Sequence, residues 1–142
     1  MSAELGLQFV DSNVLVYAYD RSAGDKHTRA RALLEDLWES GLGCVSVQTL
    51  QEFYVNITRK VARPLPPATA AEIIADFEHW TVHAPQVSDV VAAIEIQQRH
   101  RLSFWDAMIL HSAAQLGCAQ VWSEDLQAGR DYDGLRVVNP FA

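Results

Sequence analysis

With 142 residues the chain is long enough to bury most of its apolar surface in one core, and a single domain over 1–142 is expected. Hydrophobic residues make up 49 % and charged residues 20 %, and the formal net charge of -7 excludes a polyanion binder held by a broad basic surface. That charge fits a knot of carboxylates or a basic partner; the acids are scattered, with no acidic tail.

Cys44 and Cys118 lie far apart in apolar surroundings, with no Cys-x-x-Cys pair and no His/Cys cluster at zinc spacing. Buried free thiols in a reducing cytoplasm are expected. Residues 1–6 lack the basic start and apolar core of a signal peptide, and no apolar run is long enough to span a bilayer.

In chain order, Leu7-Gln8-Phe9-Val10 reads as a short buried strand ending in Asp11, with Ser12 and Asn13 opening a helix through Tyr19. In open α/β sheets the ligand crevice lies outside the carboxyl ends of the strands, so Asp11 sits where chemistry is placed. It is equally a good helix cap. Residues 21–25 read as a loop. From His27 to Ser40, Ala30, Leu33, Leu34, Leu37 and Trp38 form an amphipathic helical stripe that Gly41 and Gly43 stop. Cys44-Val45-Ser46 is a second strand, and Ser46 caps a helix to about Lys60. Thr69-Ala70-Ala71-Glu72 has a capping-box pattern opening a helix to about Trp80. Thr81 to Ala84 is a weak strand candidate. Ser88 and Ser103 cap two further helices, to about Arg101 and Leu116. Gln120-Val121-Trp122 and Leu135 to Val138 are the last strands. Short apolar strands alternating with helices predict a parallel sheet covered on both faces.

Three further acidic stretches accompany Asp11. Asp106 lies on a helix that is apolar nearly all round, where a lone carboxylate is costly unless paired, capped or metal-bound. A reciprocal cap with Ser103 explains it equally well. Glu52 projects opposite the apolar stripe of its helix, so a solvated side chain is the default, although Phe53 and Val55 flank it. Ser123-Glu124-Asp125 directly follows a strand, repeating the pattern of Asp11, and also reads as a turn.

Phe-Val-Asp-Ser-Asn at 9–13, Gln-Glu-Phe at 51–53, Ser-Phe-Trp-Asp-Ala at 103–107 and Ser-Glu-Asp-Leu at 123–126, in this order, resemble the four acidic motifs of PIN domains, most closely the VapC-type toxins of bacterial toxin–antitoxin pairs. The resemblance covers essentially the whole chain. It implies a three-layer α/β/α sandwich around a mostly parallel sheet of four to five strands, and a metal-dependent endoribonuclease. It also implies that Asp11, Glu52, Asp106 and Asp125 are the catalytic and metal-binding acids, with Glu124 adjacent to the last. Ser12, Asn13 and Ser123 would be polar supports. Mg²⁺ is the implied cofactor, with Mn²⁺ the other candidate; RNA is the implied substrate, and a cognate antitoxin and a second copy of the chain are the implied partners.

Carboxylates suit that chemistry because hard dications take oxygen ligands, whereas His and Cys favour softer ions. Two carboxylates about 4 Å apart repel by roughly 4 kcal/mol at an effective dielectric of 20, so converging acids need a cation or must take up protons. Arg59/Lys60/Arg63, Arg99/His100/Arg101 and Lys26/His27/Arg29/Arg31 are three basic clusters, each either a solvated surface or a phosphate-steering rim. Trp38, Trp80, Trp105 and Trp122 are assigned to the core, and His111 is read as a hydrogen-bonded core histidine.

Two other readings compete. A haloacid-dehalogenase-like phosphohydrolase also starts with Asp after a strand, but needs a second Asp where this chain has Asn13, and a Lys before the last acids. The only lysines, Lys26 and Lys60, lie in the first half. A non-catalytic module would use the acids to dock a basic peptide.

Overall fold

The computed structural model describes residues 6–142. Its strands are β1 (Gln8–Val10), β2 (Gly43–Ser46), β3 (Thr81–His83), β4 (Gln120–Trp122), β5 (Asp131–Tyr132) and β6 (Leu135–Val138). The helices are α1 (Ser12–Tyr19), α2 (Asp25–Ser40), α3 (Val47–Arg59), α4 (Pro67–Asp76), α5 (Val87–His100) and α6 (Phe104–Gln115), with 3-10 turns at Arg21–Ala23 and Phe77–His79. The strands form one sheet in the order β3-β2-β1-β4-β6-β5, parallel throughout except for β5 against β6. The strand beyond those expected is β5.

Strand alternation builds the layers. Cys44, Phe9, Val121 and Val137 stand in one register across four strands and share an apolar cluster with Ile109, Leu110 and Ala113 of α6. Their neighbours Val10 and Val45 point the other way, into a cluster with Val14, Leu15, Leu34, Phe53, Ile57 and Phe77. Helices α1 to α4 therefore cover one face and α6 the other, with α5 against α6 through Ala93, Ala107 and Met108. Both cysteines are free and buried, as expected. Among the described residues no helix is long and apolar enough to cross a membrane.

From β1 the chain builds β2 and β3 on one side, then crosses to build β4 and β6 on the other. The carboxyl ends of β1 and β4 thus flank a topological switch point, where such sheets open a crevice. The surrounding helices are cut by local chemistry. Gly41, at φ 75°, closes α2 with its amide on the Leu37 carbonyl at 3.0 Å. Ser46 and Thr49 cap the start of α3 reciprocally. A Cβ on Gly43 would lie 2.6 Å from the Trp80 ring, so β2 approaches that indole only because residue 43 is glycine.

Several local expectations are corrected. Helix α4 starts at Pro67, whose fixed φ suits a first turn, and not at a Thr69 capping box. Helix α5 is capped by Gln86, with Asp89 returning to its amide, and not by Ser88. Helix α2 starts two residues before His27, at Asp25. Of the four tryptophans assigned to the core, only Trp80 is buried; Trp122 is half-buried, its indole N–H donating to Gln8 Oε1 at 2.7 Å. Trp38 lies over Phe77 and Trp80 with its outer edge in solvent. Trp105 is 62 % exposed, in the first turn of α6, where a side chain leans toward the helix start and out of the core.

Candidate active site

Asp11 is both cap and pocket residue. Its Oδ1 accepts the Ser12 amide at 2.7 Å as α1 begins, and its Oδ2 accepts the hydroxyl of buried Ser123, just past β4, at 2.8 Å. One carboxylate thus ties together the strand ends that flank the switch point. Asn13 braces the same junction: its amide donates to Asp125 Oδ2 at 3.1 Å and its carbonyl accepts the Glu124 amide at 3.1 Å.

Glu52 departs from the solvated default. It stands on α3 with Oε1 accepting the Ser12 hydroxyl at 2.9 Å and Oε2 accepting the Gln48 amide at 3.1 Å. Gln48 also donates to the Trp105 carbonyl at 3.3 Å, linking α3 to the start of α6. Asp106 is capped by half of the expected box. Ser103 Oγ accepts its amide at 3.1 Å, but the carboxylate does not return to the Ser103 backbone. That carboxylate faces the cavity instead.

The structure brings Asp11, Glu52, Asp106 and Asp125 to the wall of one open cavity of about 490 Å³. Glu124 turns away from it, held by the Tyr17 hydroxyl at 2.9 Å and by an ion pair with Lys26. Ser12, Asn13 and Ser123 stand as supports around the acids. Position 13 is occupied as a brace, which leaves the second Asp of a dehalogenase-like site without a counterpart.

Electrostatics follow from the crowding. Burial pushes the Asp11 carboxyl up to about 7, against the lowering bonds from Ser123 and Ser12, and repulsion from Glu52 and Asp106 adds to the rise. Asp106 is also raised, first by burial and then by Asp125 and Glu52, with Ser103 opposing. Among the described residues no three Asp, Glu, His or Cys side chains close into a ready metal cage. The acids ring an opening instead. The carboxylate oxygens on that wall, with Asp11 pushed toward protonation first by burial and then by its acidic neighbours, nevertheless suit a hard dication.

The basic clusters separate. Arg99 and His100 engage Asp133 at 2.6 and 3.1 Å, away from the cavity. In the third cluster Lys26 holds Glu124, Arg29 pairs with Asp25 and Arg31 with Glu35. Of the first cluster, Lys60 lines the acid cavity. Residues missed in the sequence are Tyr17, Gln48 and Asn56. Tyr17 is one turn beyond Asn13, and Gln48 and Asn56 lie one turn either side of Glu52, so helical spacing was the available signal. His111 is hydrogen-bonded as expected, its Nε2 2.7 Å from Asp89 Oδ1.

A parallel α/β sandwich with carboxylates gathered at its switch point is the class this geometry defines. Residues 9–131 match the family model described as PIN domain, and the chain belongs to that family. Among solved structures it is similar to VapC20 of Mycobacterium tuberculosis, described as a sarcin-ricin loop cleaving toxin. That match has a TM-score of 0.62 and 20% identity, and covers 83% of this chain and 91% of the other. It is similar also to a toxin–antitoxin complex from Klebsiella pneumoniae, at TM-score 0.66 and 17% identity over 94% of this chain and 97% of that one. A DNA-bound VapBC from Salmonella typhimurium matches at TM-score 0.63 and 18% identity, over 95% and 98% of the two chains. At the level of sequence no curated protein matches the chain.

Proposed function

We propose that this chain is a metal-dependent endoribonuclease and the toxin member of a toxin–antitoxin pair. The observation that carries the reading is the convergence of Asp11, Glu52, Asp106 and Asp125, from four separate stretches, on one open cavity at the sheet's switch point. VapC20 is described as cleaving a sarcin-ricin loop, and two of the similar structures are toxin–antitoxin assemblies, which supports the reading by kinship of fold.

The four acids would hold Mg²⁺ or Mn²⁺. When bound, such an ion polarises the phosphoryl oxygen and lowers the pKa of its water. The chain's own groups do the rest. Ser123 and the Ser12 amide fix both oxygens of Asp11, and Ser12 and Gln48 fix those of Glu52, so neither acid must reorganise when a ligand arrives. Asn13 holds Asp125 toward the cavity. The same acidic wall would accept an arginine from an antitoxin tail, which would block the site by occupying it. Self-association as a homodimer belongs to the same reading: Val87, Val91 and Ile94 leave an uncharged apolar stripe exposed on α5, and like-charged chains would meet most readily there.

The test is cleavage of total cellular RNA with and without Mg²⁺ or Mn²⁺, cut sites mapped, with Asp106→Asn as the control. Cleavage should need the metal and vanish in the variant. Either metal should also raise the melting temperature of the wild type, by about 2.7 kcal/mol of stabilisation at a hundred times its Kd, and Asp11→Asn and Asp106→Asn should lose most of that shift. Equal shifts in all three proteins would reject the site.

A further inference from the structure

Three hollows run end to end past the acids. The acid cavity shares Ser12, Asn56, Lys60 and Asp125 with a neighbour that Tyr17 and Val61 also line. On its other side it shares Gln51 and Trp105 with a more apolar hollow, lined also by Val47, Val90 and Met108. The trough therefore has an acidic middle, an aromatic end, and a mixed end where Lys60 stands among Asp20, Glu124 and Asp125, with Glu124 already paired to Lys26.

We propose that this trough is the path of one RNA strand, with Lys60 holding a phosphate on one side of the scissile bond and Trp105 stacking a base on the other; the inference rests on the ribonuclease reading and adds direction to it. Lys60 caps the end of α3 and forms no ion pair among the described residues, while Lys26, Arg29, Arg31 and Arg99 all do. An unpaired ammonium beside four acids offsets their repulsion of an incoming polyanion at the one place where that matters.

Trp105 is the counterpart. It exposes 62 % of its surface while Trp80, in the same chain, exposes 8 %. Its ring is set at 75° against Phe104 with centroids 5.1 Å apart, and its carbonyl is held by Gln48. A fixed aromatic face needs little ordering before a base stacks on it. Asp106 is the next residue, so a base on Trp105 belongs to a nucleotide close to the reacting phosphate. Such a platform takes an unstacked base and therefore selects single-stranded or looped RNA over duplex.

The experiment measures binding of a short labelled RNA of mixed sequence to the intact chain in Ca²⁺ buffer, over a range of salt. Lys60→Gln should bind roughly tenfold more weakly at low salt, and its log–log salt slope should fall by about one. Trp105→Ala should also lose roughly tenfold, with the slope unchanged, and Trp105→Phe should recover most of the loss. Arg136→Gln, an exposed cation on β6, should bind as the wild type does. Unchanged affinity in both Lys60→Gln and Trp105→Ala, or no measurable binding by the wild type, would overturn the path. So would a Trp105→Ala protein that keeps its RNA affinity but changes its oligomeric state, since Trp105 would then belong to a protein interface. The two readings fail separately. Cleavage without these binding signatures removes the path alone, and the signatures without cleavage remove hydrolysis alone.

Discussion

Asp11 and Asp89 are almost equally buried, at 5 % and 8 % exposure, and their surroundings pull them in opposite directions. Asp89 caps α5, accepts the Gln86 amide at 2.7 Å, and faces His111 at 2.7 Å and His83 at 3.5 Å. Those donors, the Gln86 amide first and the His111 ring next, hold its carboxyl below the usual range. Asp11 has donors too, but burial and two neighbouring acids outweigh them and lift it to about 7. One carboxylate is held as an anion by its own neighbours. The other is pushed toward protonation by burial and by neighbouring acids, the kind of perturbation that marks a candidate ligand site rather than a structural one.

The sharpest way to break this contrast is Asp11→Asn. On the proposed metal site, cleavage should fall at least about a hundredfold, while the melting temperature without metal should hold or rise because buried repulsion is relieved. The check is the cleavage rate and the thermal melt in EDTA side by side. An unfolded Asp11→Asn protein, or one that cleaves normally, would place Asp11 among the structural acids. Ser123→Ala probes the same junction one step removed. It takes the hydroxyl from Asp11 Oδ2, and the metal concentration for half-maximal cleavage should rise roughly tenfold.

How far the contrast was legible in the sequence depends on how local each cause is. Asp11 and Ser123 could be read because a short apolar run ending in a polar residue is visible along the chain, and parallel sheets place ligands at such ends. Glu52 was reached only through the motif resemblance and not from its own helix, which buries Phe53 and Ile57 against α1 and α4 while Glu52 meets Ser12 and the cavity, a wall that exists only after packing. The strand β5 was missed although Asp133-Gly134, at φ 57° and 90°, carries the two-residue hairpin signal; two residues of strand are too short for periodicity to show. The tryptophans failed for a related reason: composition does not say which indole is covered, and Trp105 sits in the first turn of α6 whereas Trp80 follows a 3-10 turn into β3.

Asp89→Asn tests the other half of the comparison. The variant keeps the shape but loses the charge that two rings and an amide share, so its melting temperature should drop at neutral pH while RNA cleavage per folded molecule stays unchanged. The sign in pH follows from the depressed carboxyl. The stabilisation is complete above the unfolded value of 3.8 and is lost as pH falls through the lower folded value. The melting curves of wild type and variant should therefore converge once the pH has fallen through the depressed folded value of Asp89. A gap that persists in acid would mean that Asp89 stabilises by packing and not by charge.

The smallest effect belongs to Asp133, which separates being paired from being buried. Like Asp89 it is held below the usual range, by Arg99 and then His100, yet its side chain is 55 % exposed. Surface pairs of this kind contribute at most about 1 kcal/mol and are screened by salt. Residue 133 is also at φ 57°, a conformation asparagine tolerates and alanine resists by about 1 kcal/mol. Asp133→Asn should therefore melt within a few degrees of wild type, with the difference gone at high salt, whereas Asp133→Ala should stay destabilised whatever the salt. If salt erased the Asp89→Asn difference as readily as the Asp133→Asn one, burial would not be what distinguishes the two acids, and the contrast with Asp11 would rest on neighbouring charge alone.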